Sequence, residues 1–583
     1  MTPITGVAYQ YFGWLGRALI RLLYRKRPTR LRENLEAAGM HVYPEAYMST
    51  VGLVTLITAI ACASASLLTS LYPLLAVPLI SLALGCALPT IKARDRASKL
   101  DMEAPFAAAY ISVMATGGLA PYVSIRRFEK CELLPNMARV AEQIKLDVEL
   151  RGMDPITAIE KIANHSSSKE FRDFLMGYVR MLRVGGDVVH YLQARTEMMF
   201  RDLAAKLRAF SERAAMLLES YIAMTMLSTL GIIIVYLVSV AFRDCVSLSF
   251  STENYLMFAY FILPGISILF IYLSDLFSFQ EPIYEKAPYK VFAALTPLLV
   301  VFLITMVFPY MVPELATIPL IKSSTAFLTT VKTFLGLKRG YEPALGMAIA
   351  LTITAIPAAI AHRHYTAKRG RNLIYEVTNF LRDLTESRKT GASPETCLIE
   401  LANRPYGSFT PYLHLVARRI RWGYPFRQIY EALKHRVRSW FTLINLYILV
   451  DATDVGGGSP ETLETMARYG EKLASLEKEK LGVLRPLMFM PYIGAVLLVF
   501  SVTLCLNFMN QAVFSIGRQT IPYTQLLSTV LPSIILQSYI TGIVTGKVSG
   551  GSVSAGFKHA IILTMMTLII VVVMPYVQVL VVG

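Results

Sequence analysis

Two stretches place glycines where a phosphate loop would have them. They are "DATDVGGGSPETLETMARYGEKL" at 451–473 and "GIVTGKVSGG" at 542–551. A Walker loop needs GxxxxGK[ST], because its Lys reaches phosphate oxygens and its hydroxyl holds magnesium. After Gly456, Gly457 and Gly458 the chain runs Ser-Pro-Glu, with no Lys. In the second stretch Val548 follows Lys547 in place of Ser or Thr, and the spacing is wrong. Neither is a nucleotide site. Helix punctuation accounts for the first: Ser459 is a good N-cap, Pro460 a favoured first helical residue, and Glu461 an acid in the first turn. Asp187 offers the same cap after Gly185 and Gly186. The spacing predicts two sharp glycine turns, each opening a long helix.

Other chemistry finds little support. The six cysteines, at 62, 86, 131, 245, 397 and 505, form no CxxC pair, so neither a redox nor a metal reading stands. His362 and His364 form a lone H-x-H, read as interfacial histidines without a ligand role. No paired carboxylates and no nucleophile–base motif stand out. We therefore expect a protein that is not an enzyme and has no catalytic, cofactor-binding or metal-ligating residue. What remains is positive charge. Arg418, Arg419 and Arg421, then Lys434, Arg436 and Arg438, form two cationic clusters, and Arg126 and Arg127 form a smaller one. Such patches steer an acidic partner and fix its orientation. The interleaved aromatics of a nucleic-acid groove are missing, so nucleic acid is not expected as a partner.

The elements that carry these residues follow from hydropathy. Charged residues make up only 17% of the 583-residue chain, and the mean hydropathy is +0.49, against roughly 25% charged in soluble domains. A membrane-spanning helix needs about 20 largely apolar residues. About nine such runs occur, near 47–69, 71–91, 216–241, 256–275, 290–311, 343–361, 486–509, 528–546 and 558–581. Within the spans ionisable residues are nearly absent, which argues against ion-coupled transport.

Two polar segments interrupt the spans, at 92–215 and 362–485. Each holds 20 Lys/Arg, against 16 and 13 acids. With seven more in residues 1–46 they carry 47 of the 57 basic residues, which places them and the N-terminus in the cytoplasm and the C-terminus outside. The outer loop at 312–342 fits less well, since it carries Lys322, Lys332, Lys338 and Arg339. No cleavable signal peptide is visible. Arg17, Arg21 and Arg25 recur every four residues, so residues 1–46 are expected to hold an amphipathic helix on the anionic inner leaflet, or an ordinary solvated basic face.

The polar segments repeat each other. "RVGGDVVHYL" at 183–192 matches "DVGGGSPETL" at 454–463, and Gly152 matches Gly423, both at an offset of 271. "LPGISILF" at 263–270 matches "LPSIILQS" at 531–538 at 268. A duplicated unit is implied: two spans, a helical domain and two more spans, with the ninth span an addition. Both copies have one orientation, making a parallel repeat. Helical spacing without strand alternation makes both segments small helical bundles. The expected fold is an all-α polytopic membrane protein with two cytoplasmic bundles in tandem. Its parts are residues 1–46, spans 1–2 (47–91), the first bundle (92–215), spans 3–5 (216–311), the outer loop (312–342), span 6 (343–361), the second bundle (362–485) and spans 7–9 (486–583). Residues 187–241 and 460–509 are each expected to be one helix running from bundle into membrane.

This layout resembles the archaeal branch of the type II secretion F family, the platform proteins of archaella and archaeal type IV pili. The residues that carry the likeness are "LEAAGMHVYPEAYMST" before span one, the paired "VGGD" and "VGGGSPETL" turns, and the two helical segments. The resemblance implies a non-enzymatic platform whose cytoplasmic domains engage a hexameric secretion ATPase while its membrane part supports insertion of pilin or archaellin subunits into a filament. A homodimer in the cell membrane is expected. The alternative is a transporter or ABC-type permease coupled to a nucleotide-binding subunit; polar segments of over 120 residues favour the platform.

Overall fold

The computed structural model describes the chain except for residues 1–2, 24–28, 39, 41, 70–76, 130, 167, 242–249, 277–286, 311–317, 338, 370–372, 457, 485, 516–522 and 583. All regular elements among the described residues are helices. Three helices, α1 (Pro3–Leu23), α2 (Thr29–Ala37) and α3 (Pro44–Thr69), precede α4 (Val77–Thr116). The first bundle adds α5 (Pro121–Phe128), α6 (Pro135–Glu149), α7 (Pro155–His165), α8 (Lys169–Val184) and α9 (Val188–Ala241). Then come α10 (Thr252–Met257), a π-helical turn at Phe258–Ile262, α11 (Leu263–Leu276), α12 (Ala287–Met306), α13 (Pro319–Phe334) and α14 (Glu342–Arg369). The second bundle holds α15 (Leu373–Lys389), α16 (Pro394–Leu401), α17 (Thr410–Arg421), α18 (Phe426–Lys434), α19 (Trp440–Gly456) and α20 (Pro460–Leu484). α21 (Met490–Ser515), α22 (Tyr523–Gly550) and α23 (Val553–Val582) complete the chain.

Seven helical stretches among the described residues are long and apolar enough to cross a membrane: Val188–Val240, Thr252–Asp275, Ala287–Tyr310, Glu342–Thr366, Met490–Phe508, Tyr523–Gly550 and Val553–Val573. They coincide with the third to ninth apolar runs. The first run lies on α3, whose residues Pro44–Ile60 form a shorter apolar helix. The second begins at 71–76, outside the described residues. Near the chain start, α1 and α3 approach closely at Gly16: a Cβ there would lie 2.4 Å from the Ser49 hydroxyl and 2.7 Å from the Glu45 carbonyl. Part of α1 is therefore packed against a helix; Arg25, the third of the spaced arginines, lies outside the described residues.

The two exit helices differ. α9 is continuous for 54 residues, on the order of 80 Å at 1.5 Å per residue. The second exit is not one helix as expected: α20 stops at Leu484, a 3-10 turn covers Pro486–Met488, and α21 starts at Met490. Pro486 supplies the reason, since proline has no N–H to donate and disfavours helical geometry in the residue before it.

α22 and α23 form a hairpin packed through glycine. Gly542, Gly546 and Gly550 recur every four residues, on one face of α22. A Cβ on Gly542 would fall 2.3 Å from the Ala560 Cα, and one on Gly546 would fall 2.1 Å from the Gly556 Cα. Small residues in this spacing let membrane helices approach until backbones touch. That is the role of the "GIVTGKVSGG" stretch.

Candidate functional site

Among the described residues each bundle has six α-helices, and the chain order pairs α4 to α9 with α15 to α20. Local chemistry repeats with the fold. The left-handed glycines Gly118, Gly152 and Gly185 (φ 88°, 65°, 71°) correspond to Gly391, Gly423 and Gly458 (86°, 75°, 57°), and only glycine takes such φ at little cost. Each closes a turn at the membrane-distal end of its bundle. Gly458, rather than Gly456, is thus the counterpart of Gly185: Gly456 ends α19, and Gly457 lies outside the described residues. Gly186 follows its cap and donates its N–H to the Met181 carbonyl. Asp187 accepts from the His190 N–H at 3.0 Å and Ser459 from the Thr462 N–H at 3.2 Å, so both exit helices carry the same type of cap.

A second repeated device was not read from the sequence. Glu103 on α4 accepts from the backbone of Asn136 and Met137, both at 2.9 Å, and from the Asn136 amide. It thereby caps α6 from a neighbouring helix. Glu376 on α15 does the same near the start of α17, accepting from the Phe409 N–H at 3.1 Å and the Ser408 hydroxyl at 2.5 Å. Burial raises the Glu103 pKa against the pull of those hydrogen bonds.

The bundles share one apolar core. Its seam brings α4 of the first bundle against α19 and α20 of the second. Phe106 meets Trp440 edge-on at 4.8 Å and Phe441 at 5.9 Å. The Trp440 indole donates to the Leu133 carbonyl at 2.9 Å, and the Ser112 and Tyr469 hydroxyls lie 3.0 Å apart. α8 occupies the position in the first bundle that α19 has in the second, and Ser168 and Ser439 cap them alike. α8 is amphipathic, burying Phe171, Phe174, Leu175, Tyr178 and Val179. On α19 residues Trp440–Leu446 are buried without interruption. A helix apolar all round must be covered all round, so divergence of this one helix makes the seam.

A charged cleft of about 330 Å³ opens along the seam, between α5 and α6 on one side and α18 and α19 on the other. At its base Asp451, with a side chain only 13% exposed, pairs with Arg127 at 2.9 Å and accepts from the Tyr110 hydroxyl. Lys434 pairs with Glu132 across the seam, and Lys145 with Glu129 at 2.9 Å. Asp454 lies exposed at the rim of the cleft, and partial desolvation first, then the charge of Asp451, raise its pKa. Burial pushes the Cys131 thiol up to about 12, away from thiolate chemistry.

The predicted cations therefore divide. Arg126 pairs with Glu149 at 3.0 Å, Arg127 and Lys434 hold the seam, and Arg438 lies over the Tyr365 ring of α14 at 5.3 Å. Arg419 lies 5.7 Å from the Tyr424 ring and donates to the Gln428 carbonyl at 3.2 Å. Arg418, Arg421 and Arg436 are exposed. His362 bonds the Ser554 hydroxyl at 3.1 Å through Nδ1, and no cluster of three metal-ligating side chains occurs among the described residues.

A multi-pass helical membrane protein with two fused six-helix bundles, each leading into a span, is the class that this architecture defines. Residues 107–236 and 380–506 both match the family described as type II secretion system (T2SS), protein F. The two matches fall at corresponding places in the tandem architecture, and each takes in most of a bundle and much of the span that follows. An uncharacterized protein of Methanocaldococcus jannaschii is 20% identical over 519 residues, covering 82% of this chain and 80% of its own. No solved structure matches the chain.

Proposed function

We propose that this protein is the membrane platform of a type IV pilus-like assembly machine, an archaellum or an archaeal pilus. Its bundles lie in the cytoplasm and dock a hexameric secretion ATPase, its membrane part supports insertion of pilin or archaellin subunits, and it works as a homodimer. The two protein F matches carry the reading, because each joins most of a bundle to a spanning helix. An ATPase moving against the distal turns would push on helices that enter the bilayer. The N-terminus is cytoplasmic and the C-terminus outside, on the excess of Lys/Arg in both bundles.

Affinity-tagged protein purified from its own membranes should bring down a secretion ATPase, and clean deletion should abolish one class of surface filament. Normal filaments after deletion, with no second gene of this type, would refute the platform role. Labelling of single cysteines from outside intact cells tests the orientation: one placed at Thr329 should react and one at Val184 should not.

A further inference from the structure

The membrane-distal ends of the two bundles are chemically unlike. Between Leu401 and Tyr430 the second bundle has five arginines and no acid. The corresponding window of the first bundle, 130–159, has four Lys/Arg and five Asp/Glu. At the α6–α7 turn Arg151 is tied to Asp147, which also holds Lys161 at 3.0 Å, and Asp154 is consumed as the α7 cap. The α17–α18 turn is different. Trp422 is 67% exposed and Tyr424 44%, on either side of left-handed Gly423. Arg419 braces Tyr424 from below, while Arg418 and Arg421 have no hydrogen-bond or ion-pair partner among the described residues.

Position narrows what this knob can touch. The Tyr430 ring lies 5.6 Å from that of Tyr447, and Arg427 lines the cleft with Asp454. The Gly423 turn therefore lies at the distal end, where α20 begins. α20 spans 25 residues back toward the membrane, about 37 Å at 1.5 Å per residue. A tryptophan so far from the bilayer is no interfacial anchor. Trp, Tyr and Arg are the residues that dominate protein–protein hot spots.

We infer that Trp422 and Tyr424, rimmed by Arg418 and Arg421, form a docking knob for an acidic protein surface with an apolar pocket. The first bundle's turn, around Leu150 and Arg151, does not serve this partner. The inference rests on the platform reading, in which the partner is the secretion ATPase. Full-length protein in nanodiscs is titrated with the hexameric ATPase purified from the same organism. Trp422→Ala should weaken binding at least tenfold with an unchanged Tm. Arg418→Glu with Arg421→Glu should weaken it similarly and flatten its salt dependence, while Leu150→Ala should stay within twofold. If the wild type binds and the Trp422 and arginine variants stay within twofold, the knob is wrong and the platform stands. A wild type that binds no ATPase overturns both. Quenching of a fluorophore at Tyr424→Cys by brominated lipid would place the tip at the bilayer and overturn the knob.

Discussion

Arg127 of the first bundle lies 2.9 Å from Asp451 of the second, 324 residues away in the chain. Asp451 also accepts from Tyr110, so two side chains of one bundle converge on one carboxylate of the other. Arg127 is about one-third exposed, so solvent screens part of the attraction. Asp451→Asn keeps the shape and removes the charge. Hydrogen bonds to charged groups contribute about 1.5–3 kcal/mol, and with that screening we expect a loss toward the lower end of this range. Asp451→Asn and Arg127→Ala together should cost less than the sum of the singles in thermal unfolding of the purified protein; strict additivity would mean the pair is not coupled.

Asp454, three residues on, gives a pH prediction of definite sign. Its pKa is raised in the fold, by partial desolvation first and by Asp451 second. The folded state therefore favours the protonated form, and the unfavourable contribution is present in full above the folded pKa. It disappears as pH falls below the unfolded value, near 3.9. Asp454→Asn should thus stabilise the protein at pH 7, with the gain shrinking as pH falls through the carboxylate range. A gain that grew on acidification would contradict the assignment.

Trp440 holds the apolar part of the seam. Trp440→Ala removes a fully buried indole and leaves the Leu133 carbonyl without its donor. The expected cost is about 3–5 kcal/mol, as for large-to-small changes in a core. Trp440→Phe should lose less, since most of the apolar contact with Phe106 survives. Melting temperatures of the two variants in one detergent test the order.

The helical class and seven spans were readable because bilayer helices demand long apolar runs, whatever the rest of the fold does. The repeat was readable because left-handed turns demand glycine at Gly152 and Gly423. The seam was not, although the residues 440–450, WFTLINLYILV, carried a signal: an apolar run too short to span, in a polar segment. Its counterpart at 169–179 is amphipathic, and the contrast marks the helix covered by both bundles. The fate of the cations was out of reach. Lys434 finds Glu132 from 302 residues away, a relation set by packing and not by spacing. The glycines of α22 do not fit a phosphate loop, and their four-residue period is the sequence signal of the close hairpin.

Helix capping by a neighbouring helix makes the next prediction. Glu103→Ala would strip acceptors from two N–H groups at the start of α6, at a cost of about 1–2 kcal/mol. Glu376→Ala should act in the same direction on the second bundle. Hydrogen exchange should show faster opening of α6 in the first variant and of α17 in the second, with the other bundle little changed. Protection lost equally in both bundles would mean that the shared core unfolds before the caps matter.

Among the described glycines of the membrane helices, those of the α22–α23 hairpin leave the least room for a side chain. Gly546→Ala places a methyl carbon where the Gly556 Cα lies 2.1 Å away and the Ala555 carbonyl carbon 2.6 Å away. Backbone cannot yield as a side-chain tip does, so the helices must separate. Overpacking of this kind costs about 1–3 kcal/mol, and separation also loosens the contact between Ser538 and Thr567, 2.8 Å apart. Gly231 on α9 is the control, since a Cβ there meets nothing within 4 Å; Gly231→Ala should be neutral or slightly stabilising, as alanine favours helix. Thermal unfolding of both variants in lipid nanodiscs decides the matter, and equal melting temperatures would show that the hairpin is not held by its glycines.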